Sequence, residues 1–406
     1  MRVSRCKGCS DLSPLQMASF RRIESVFRES CRTWGYNEVR TPTLEYLHLF
    51  TATGTLTPGK LGRVYSFLDW DGWSGRRVVL RPDATIPVVR YYIEGLGGSG
   101  TARLCYVTSS FAFEETGARS RERWQCGAEL IGPGSAAANT ELISLALEVL
   151  KSLGIKDVSI RLSHAGLIKA LLAQLDLSID EQARLFDRLL DGDAAVLAGL
   201  KPKNPDLVKT LRLLLDTKGR TSGFLKNIEA LVGGSLPQLK APIEDFTDTI
   251  DLLEEMEVDY QIDLASGRGF EYYTGVIFHI YVGEEMFGGG GRYDALVSLL
   301  GGRHTPAAGF ALYMDALMPL VVPQEVAGAS VLVCAVPDAA ARAFEVAGEL
   351  RQAGLAVELC FDVCDTAGYG WRLDIGQGKI GLLEVATGKK SKVSSTAEAL
   401  KLLGAA

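Results

Sequence analysis

Hydrophobic residues recur at helical spacing near the start of the chain. Apolar positions three or four residues apart predict an amphipathic helix over residues 13–33, with one face formed by Met17, Phe20, Ile23, Val26 and Phe27. Ser13 is a suitable N-cap residue, and Pro14 suits the first helical turn. The run Trp34-Gly35-Tyr36 is expected to end this helix.

Shorter apolar and alternating runs in the next hundred residues predict a sheet. The expected strands are a short one at 38–42, a hairpin over 62–80, and two longer strands at 103–113 and 121–131. Helices are expected at 86–96 and 138–153. This order of strands and helices is typical of a mixed fold in which helices pack on one sheet.

Leucine recurs at three- and four-residue spacing across residues 165–258, which predicts a helical insertion packed on the core. A strand-rich stretch follows at 260–282, and the glycine run 288–291 precedes a helix near 293–300. The pattern of the core ends near residue 323. We therefore expect a core domain over residues 1–323 and a second domain over 328–406.

The second domain has the alternating elements of a small α/β domain. Strands are expected at 330–336, 355–361 and 379–385, and helices at 339–353 and 396–403. From residue 328 onward the chain carries eight lysines and arginines against nine acidic residues. A domain that recognises RNA is expected to be basic, so this balance of charged residues disfavours an RNA-binding role. The cluster of Lys389, Lys390 and Lys392 is explained equally well by an exposed loop.

Composition and charge fit a soluble globular protein. Hydrophobic residues make up 47% of the 406 residues and charged residues 23%. The net charge of −6 argues mildly against tight binding of nucleic acid, because phosphate contacts dominate such affinity. No apolar run reaches the roughly 18 residues of a membrane span. We therefore expect a cytoplasmic protein that does not contact the membrane.

Cysteine spacing gives little indication of a metal site. Cys6 and Cys9 have half the spacing of a zinc site, but neither a second cysteine pair nor a histidine cluster lies near them. The other six cysteines are scattered. We expect no metal, no cofactor and reduced thiols.

The strand at 121–131 carries candidate binding residues. Gln125, Gly127 and Glu129 alternate along it, so all three are expected on one face. A carboxylate and an amide above a glycine gap suit a ligand with an ammonium group, since Glu129 can form an ion pair and Gln125 can orient the ligand. A solvated polar strand face is the alternative interpretation.

Three further segments have both a binding and a purely structural interpretation. Asp83 and Thr85 suit a ligand site, but they also suit a turn and a helix cap. Strict alternation would place Tyr272 and Tyr273 on opposite faces of a strand, so that one of them belongs to the core. The glycine run 288–291 permits either a close approach of backbone to ligand or a glycine-rich turn.

Four segments together resemble the class II histidyl-tRNA synthetases, over residues 8–320. They are Gly35-Tyr36 with Pro42 and Glu45, Leu80–Thr85, Phe111–Glu129, and Arg268–Gly275 with Gly289–Asp294. The resemblance implies an α+β fold, in which an antiparallel sheet of class II aminoacyl-tRNA synthetase type is flanked by helices. The small C-terminal domain then resembles an anticodon-binding domain.

The resemblance also implies roles for individual residues. Arg268 would meet the carboxylate of the amino acid, and Tyr272 and Tyr273 would surround its imidazole. Asp83, Thr85, Gln125 and Glu129 would complete a histidine-binding site. Asp83 stands where the family has a glutamate that contacts the amino acid, and its side chain is one methylene shorter.

Two departures from the synthetase pattern bear on catalysis. Ala112 and Ala316 stand where the family carries arginines on the ATP phosphates. A site that stabilises charge on a triphosphate depends on such cations, so we expect no catalytic residues in this chain. The Arg-Pro-Asp-x-Thr segment is the form found in the related regulatory subunits of ATP phosphoribosyltransferase.

This second resemblance implies the function. A regulatory subunit of this family binds a short-form ATP phosphoribosyltransferase catalytic subunit, activates it, and senses L-histidine for feedback inhibition of histidine biosynthesis. The implied assembly is a homodimer within a hetero-oligomer, without tRNA. Two alternatives remain open, namely an active or divergent histidyl-tRNA synthetase and a synthetase-like module that binds another amino acid or partner.

Overall fold

The structure is a computed structural model that divides into two compact units, Met1–Gln324 and Glu325–Ala406. The sequence analysis expected domains over 1–323 and 328–406. The described residues are 3–54, 56, 61–70, 75–113, 120–175, 177–190, 196, 208, 211–212, 215, 218–232, 236–264, 272–323, 331–362, 365–376 and 380–404.

Twelve strands are described in the first unit. They are β1 (Asn37–Glu38), β2 (Leu44–Tyr46), β3 (Ser66–Trp70), β4 (Gly75–Leu80), β5 (Ala102–Phe111), β6 (Glu122–Ile131), β7 (Val158–His164), β8 (Lys218–Gly219), β9 (Tyr260–Asp263), β10 (Val276–Val282), β11 (Glu285–Arg292) and β12 (Ala307–Tyr313). The α-helices described there are α1 (Pro14–Thr33), α2 (Leu47–Thr51), α3 (Thr85–Gly95), α4 (Ala136–Ser152), α5 (Ala165–Leu172), α6 (Ile179–Leu190), α7 (Ser222–Val232), α8 (Lys240–Glu255), α9 (Leu296–Leu299) and α10 (Met314–Leu317).

A large sheet organises the first unit. Among the described residues, nine strands pair in the order β1-β5-β6-β12-β11-β10-β7-β9-β8. The six consecutive strands from β5 to β7 are antiparallel throughout, as the sequence analysis expected. Within the described part of this sheet, only the pairs β1–β5 and β7–β9 are parallel. Strands β2, β4 and β3 form a separate small antiparallel sheet.

The first helix forms as its sequence predicts. Ser13 accepts a hydrogen bond from the backbone of Gln16, whose side chain accepts one from the backbone of Ser13, so a capping box fixes the start of the helix. Its apolar stripe, which includes Phe20, Ile23 and Phe27, is buried in the main core. This helix covers one face of the sheet, which leaves the opposite face of β6 free to build a site.

The second unit is a five-stranded sheet with helices. Its elements are β13 (Val331–Ala335), α11 (Ala340–Gln352), β14 (Val357–Cys360), β15 (Trp371–Ile375), β16 (Ile380–Glu384), β17 (Lys390–Val393) and α12 (Thr396–Leu403). Strands β15 and β17 were not expected from the sequence. Lys390 and Lys392 lie in β17, so the interpretation of the lysine cluster as a loop was wrong for these two residues, although both are exposed.

Other expectations needed correction near the site. The strand expected at 38–42 is limited to β1, because the chain turns toward β2. The helix expected near 293–300 is the single turn α9. The glycine run lies within β11, where Gly288 pairs with Leu312 and Gly291 with Gly309, so the interpretation as a turn was wrong.

Glycine is required on this sheet because neighbouring groups occupy the space of a Cβ atom. A Cβ on Gly309 would lie 1.6 Å from Oε2 of Glu129, and one on Gly127 would lie 2.5 Å from the phenol oxygen of Tyr106. A Cβ on Gly290 would lie 2.2 Å from the carbonyl oxygen of Gly309. The sequence therefore keeps side chains off the middle of the sheet so that polar groups can approach its backbone closely.

We predict that Gly309→Ala strongly destabilises the protein, because the new methyl group displaces the buried carboxyl group of Glu129. The expected loss is at least about 3 kcal/mol in the free energy of unfolding, measured by urea denaturation. Gly223→Ala is the matched control, since a Cβ there meets only the Thr221 hydroxyl at 3.6 Å. A Gly309→Ala protein as stable as this control would contradict the packing described for the sheet.

Candidate functional site

A small cavity lies on the face of the sheet that carries the predicted binding residues. It encloses about 40 Å³. Its described lining consists of Asp83, Thr85, Gln125, Tyr272, Tyr273, His279, Gly289, Gly290, Tyr293, Gly309, Phe310, Ala311 and Tyr313. The structure thus brings together five of the seven predicted site residues from three separate parts of the chain.

Glu129 lies directly behind this cavity and is fully buried. The phenol of Tyr106 donates to its Oε1 at 3.1 Å, and the phenol of Tyr293 donates to its Oε2. It pairs in register with Gly309 on β12, whose missing side chain makes room for the carboxyl group. Complete burial excludes the interpretation of this strand face as solvated, but Glu129 is not among the described residues that line the cavity.

Asp83 stands at the cavity wall and at the start of α3. Its Oδ1 accepts from the backbone of Ile86 at 2.8 Å, and its Oδ2 accepts from the phenol of Tyr272 at 3.4 Å. The interpretation of Asp83 as a turn and cap residue is confirmed, because one oxygen accepts from the first turn of the helix. Its role in binding a ligand stays a prediction. The preceding Arg81 fixes this turn by donating to the carbonyl oxygens of Thr41 at 2.8 Å and Ser109 at 2.7 Å.

Tyr272 and Tyr273 both line the cavity, and their rings meet edge to face with centroids 5.2 Å apart. The expectation of opposite faces was wrong, because these residues lie in a turn where strand alternation does not apply. The carbonyl of Tyr273 accepts from Nζ of Lys169 on α5 at 2.6 Å. The backbone of Ala165, at the start of the same helix, donates to the carbonyl of Gly275 at 2.9 Å. The helical insertion is thus bonded directly to the aromatic wall.

The floor of the cavity comes from four adjacent strands. Strand register places Gly127, Ala311, Gly289 and His279 side by side across β6, β12, β11 and β10. The histidine is a cavity residue that the sequence analysis missed, because its spacing to the other histidines carries no pattern. Tyr106, Tyr293 and Tyr313 were also missed, although Tyr293 lies in a segment that resembles the synthetases.

Three predictions concern arginine positions of the synthetases, namely Arg268 and the two alanines Ala112 and Ala316. Arg268 lies outside the described residues. Ala112 follows β5 and Ala316 lies in α10, and neither is among the described residues that line the cavity. Within α10, Asp315 accepts from the backbone of Trp124 at 3.0 Å. Arg123 lies close enough to favour the charged form of this aspartate, which opposes the effect of burial on its pKa.

Burial leaves the two carboxyl groups short of compensating positive charge. It raises the pKa of Asp83 to about 6 and that of Glu129 to about 8, and each ionised group would repel the other. Neither lysine nor arginine is found among the cavity-lining residues that the structure describes. At neutral pH the Asp83 side chain is mainly ionised and the Glu129 side chain mainly protonated. A cationic group in the cavity would stabilise the ionised form of both.

Within the described parts of the chain, no group of three or more histidine, cysteine or acidic residues is arranged to hold a metal ion. Cys6 is exposed and Cys9 is partly buried, and the backbone of the latter donates to the carbonyl of the former at 3.2 Å. None of the described helices is long and apolar enough to span a bilayer.

Comparison with known proteins identifies two groups of relatives. The family model of histidyl-tRNA synthetase matches residues 8–317. An ATP phosphoribosyltransferase regulatory subunit of Dehalococcoides mccartyi strain CBDB1 is 55% identical over 92% of this chain and 91% of its own length. A histidine–tRNA ligase of Methanosarcina acetivorans is 34% identical over 86% of this chain and 83% of its own length.

Solved structures agree with the fold. A protein of Bacillus halodurans C described as an ATP phosphoribosyltransferase regulatory subunit/histidyl-tRNA synthetase superposes with a TM-score of 0.75 at 25% identity. The match covers 90% of this chain and 95% of that one. The α+β fold of class II synthetase type is therefore confirmed.

We predict that Glu129→Gln changes how stability depends on pH. The pKa of Glu129 is about 8 in the folded state, above the roughly 4.3 of an unfolded chain, so the folded state binds the extra proton. The contribution of the Glu129 side chain to stability is present at low pH, and it is lost as the pH rises toward and through 8. Because glutamine does not ionise, the variant should gain on the order of 3 kcal/mol relative to wild type between pH 5 and pH 8.5.

Urea denaturation at the two pH values measures this difference. Glu284→Gln is the control, since the Glu284 side chain is 94% exposed and its removal should change stability equally at both pH values. Parallel pH profiles for wild type and Glu129→Gln would show that burial does not raise the pKa of Glu129.

Proposed function

The chain belongs to the ATP phosphoribosyltransferase regulatory subunits, within the histidyl-tRNA synthetase family, and on that premise we propose that it senses free L-histidine and controls a catalytic partner. The proposed partner is a short-form ATP phosphoribosyltransferase catalytic subunit. The chain activates that subunit and transmits feedback inhibition by histidine. Its proposed setting is the cytoplasm, as a homodimer within a hetero-oligomer that does not bind tRNA.

One observation carries the proposal that the ligand is an amino acid. Asp83 and Glu129 are buried together at one end of the cavity, and neither forms a salt bridge with a described lysine or arginine. Buried carboxylates without a cation are costly, so this end favours a ligand that brings a positive charge. A histidine ligand supplies an ammonium group, and the aromatic wall suits its imidazole ring.

The proposed contacts follow from the positions of the side chains. Asp83 lines the cavity and takes the ammonium group, which its shorter side chain can reach from the start of α3. Glu129 acts from behind the wall, through its charge and by holding the phenol of Tyr293. Thr85 and Gln125 supply polar contacts, Tyr272 and Tyr273 enclose the ring, and Arg268 is the proposed partner of the carboxylate.

The small size of the cavity supports control through coupling between histidine binding and a change of conformation. A volume of about 40 Å³ is too small for an amino acid, since small-molecule pockets typically measure roughly 300–1,000 Å³. Histidine must therefore displace part of the wall when it binds. The Tyr273 segment is bonded to Lys169 on α5, so displacement of this segment acts on the helical insertion. A ligand that binds two conformations with unequal affinity shifts their populations. Inhibition by histidine requires such a shift.

A non-catalytic role is supported by the two alanines. Ala112 and Ala316 provide no charge for a triphosphate at the positions where the synthetases carry arginine. One observation favours a divergent synthetase as the second candidate, namely Arg123, whose charge acts on both Tyr313 and Asp315. The two candidates differ in whether the chain forms histidyl-adenylate.

We predict that the purified chain does not catalyse histidine-dependent exchange between ATP and pyrophosphate. Replacing only Ala112 or only Ala316 by arginine should leave exchange at background, because the cations at a phosphoryl site act jointly. An active histidyl-tRNA synthetase assayed in parallel is the positive control. Exchange well above background in the wild-type chain would favour the divergent synthetase.

We predict that the chain co-elutes with the short catalytic subunit of the same organism and confers inhibition by histidine. Asp83→Asn should retain assembly and activation but lose inhibition. Asparagine keeps the oxygen that caps α3, whereas loss of the charge facing the ammonium group should cost about 2–5 kcal/mol of histidine binding. Size-exclusion chromatography and the phosphoribosyl transfer rate, with and without histidine, measure these effects.

Asp259→Asn is the matched control, because Asp259 is an exposed aspartate. It should assemble, activate and respond to histidine as wild type does. Absence of co-elution, or a complex whose rate histidine does not change, would contradict the proposal and favour a synthetase-like binding module.

A further inference from the structure

The cavity has two chemically different ends along β12. Gly309, Ala311 and Tyr313 alternate along this strand and share the face of the site, with Gly309 and Tyr313 about 13 Å apart along the strand. Gly309 pairs with Glu129 at the acidic end, and Tyr313 pairs with Gln125 at the other end.

The acidic end of the cavity fixes the direction in which an amino acid enters. The ammonium group is attracted to the ionised side chain of Asp83, and the ligand carboxylate is repelled by it. The carboxylate therefore points along β12 toward Gln125 and Tyr313. The Gln125 side-chain amide can donate to it there.

Side-chain size changes abruptly at this second end. Between the two ends the floor includes Ala311 and Gly289 on adjacent strands, and neither carries a side chain longer than a methyl group. Tyr313 is the next residue on the same face of β12, and it lines the cavity with a full phenol ring. A ligand that fits over the small floor therefore meets this ring as soon as it extends past its own carboxylate.

Charged and aromatic groups lie around Tyr313 at this end. Its phenol is within electrostatic range of Arg123 on β6 and Tyr281 on β10, the strands on either side of the β12–β11 pair. The phenol of Tyr273 is within the same range. The partly buried ring of Tyr313 thus lines this end of the cavity.

We propose that Tyr313 closes the carboxyl end of the cavity and restricts the site to free α-amino acids, excluding ligands in which the carboxyl group carries further atoms. The inference rests on the proposed function, because it takes histidine as the ligand and Asp83 as its ammonium partner. It adds a specificity-determining residue that rejects peptides, esters and acyl-nucleotides. A sensor built in this way responds to the free amino acid alone.

Isothermal titration calorimetry on the full chain tests the inference with three probes. L-Histidine is the proposed ligand, L-histidylglycine extends its carboxyl group, and L-histidinamide removes the carboxylate charge with almost no change in size. Wild type should bind histidylglycine at least about 100-fold more weakly than histidine. In Tyr313→Ala this ratio should fall at least about tenfold, because the extension then has room.

Two further variants separate steric exclusion from other effects. Tyr313→Phe keeps the ring and should keep the wild-type ratio, while Tyr313→Leu should give an intermediate ratio even if Tyr313→Ala does not fold. The ratio of histidinamide to histidine should be the same in every variant, because the amide tests charge and not length. Thermal melting of each variant confirms that it is folded.

The outcomes distinguish the inference from the function on which it rests. Histidine binding with an unchanged histidylglycine ratio in both Tyr313→Ala and Tyr313→Leu would overturn the role of Tyr313 alone. Loss of histidine binding in folded Tyr313→Ala would also overturn it, since the ring would then hold the ligand and not limit it. Failure of wild type to bind histidine would overturn the proposed function itself.

Discussion

The burial of two carboxyl groups against one glycine-lined sheet is the constraint on which the site depends. Glu129 is fully buried and Asp83 almost so, and burial raises the pKa of both. Ionised carboxylates in such a place require hydrogen bonds and a counter-charge. The protein supplies the hydrogen bonds through Tyr106, Tyr272 and Tyr293. The described cavity wall leaves the counter-charge to a ligand.

Several features of the fold follow from this constraint. Gly309 is needed because the carboxyl group of Glu129 occupies the space of a side chain, and Gly127 is needed because Tyr106 does. The aromatic wall is held by Lys169, so the site is joined to the helical insertion. An active synthetase would require cations beyond the amino acid, but this chain has alanines at those positions and a tyrosine at the end of the cavity. We propose that the site retains the chemistry for recognising an amino acid without that for activating it.

The sequence predicted the parts of the structure that depend on local pattern. Helix α1 follows from its apolar stripe and capping box, and the shared face of Gln125 and Glu129 follows from strand alternation. Strict alternation does not apply to Tyr272 and Tyr273, because both precede β10, whereas the resemblance placed both in the site and both line the cavity. His279 and Tyr313 were not predicted, because they reach the cavity only through the strand order β6-β12-β11-β10, which spacing along the chain does not encode.

A crystal structure of the chain bound to L-histidine would show how the ligand lies in the cavity. We expect the ligand on the face of β6 and β12, with its ammonium group within hydrogen-bonding distance of Asp83. Its carboxylate should point toward Gln125, and Tyr313 should close the space beyond it. Histidine bound elsewhere, or bound in the cavity with its carboxylate toward Asp83, would contradict the account.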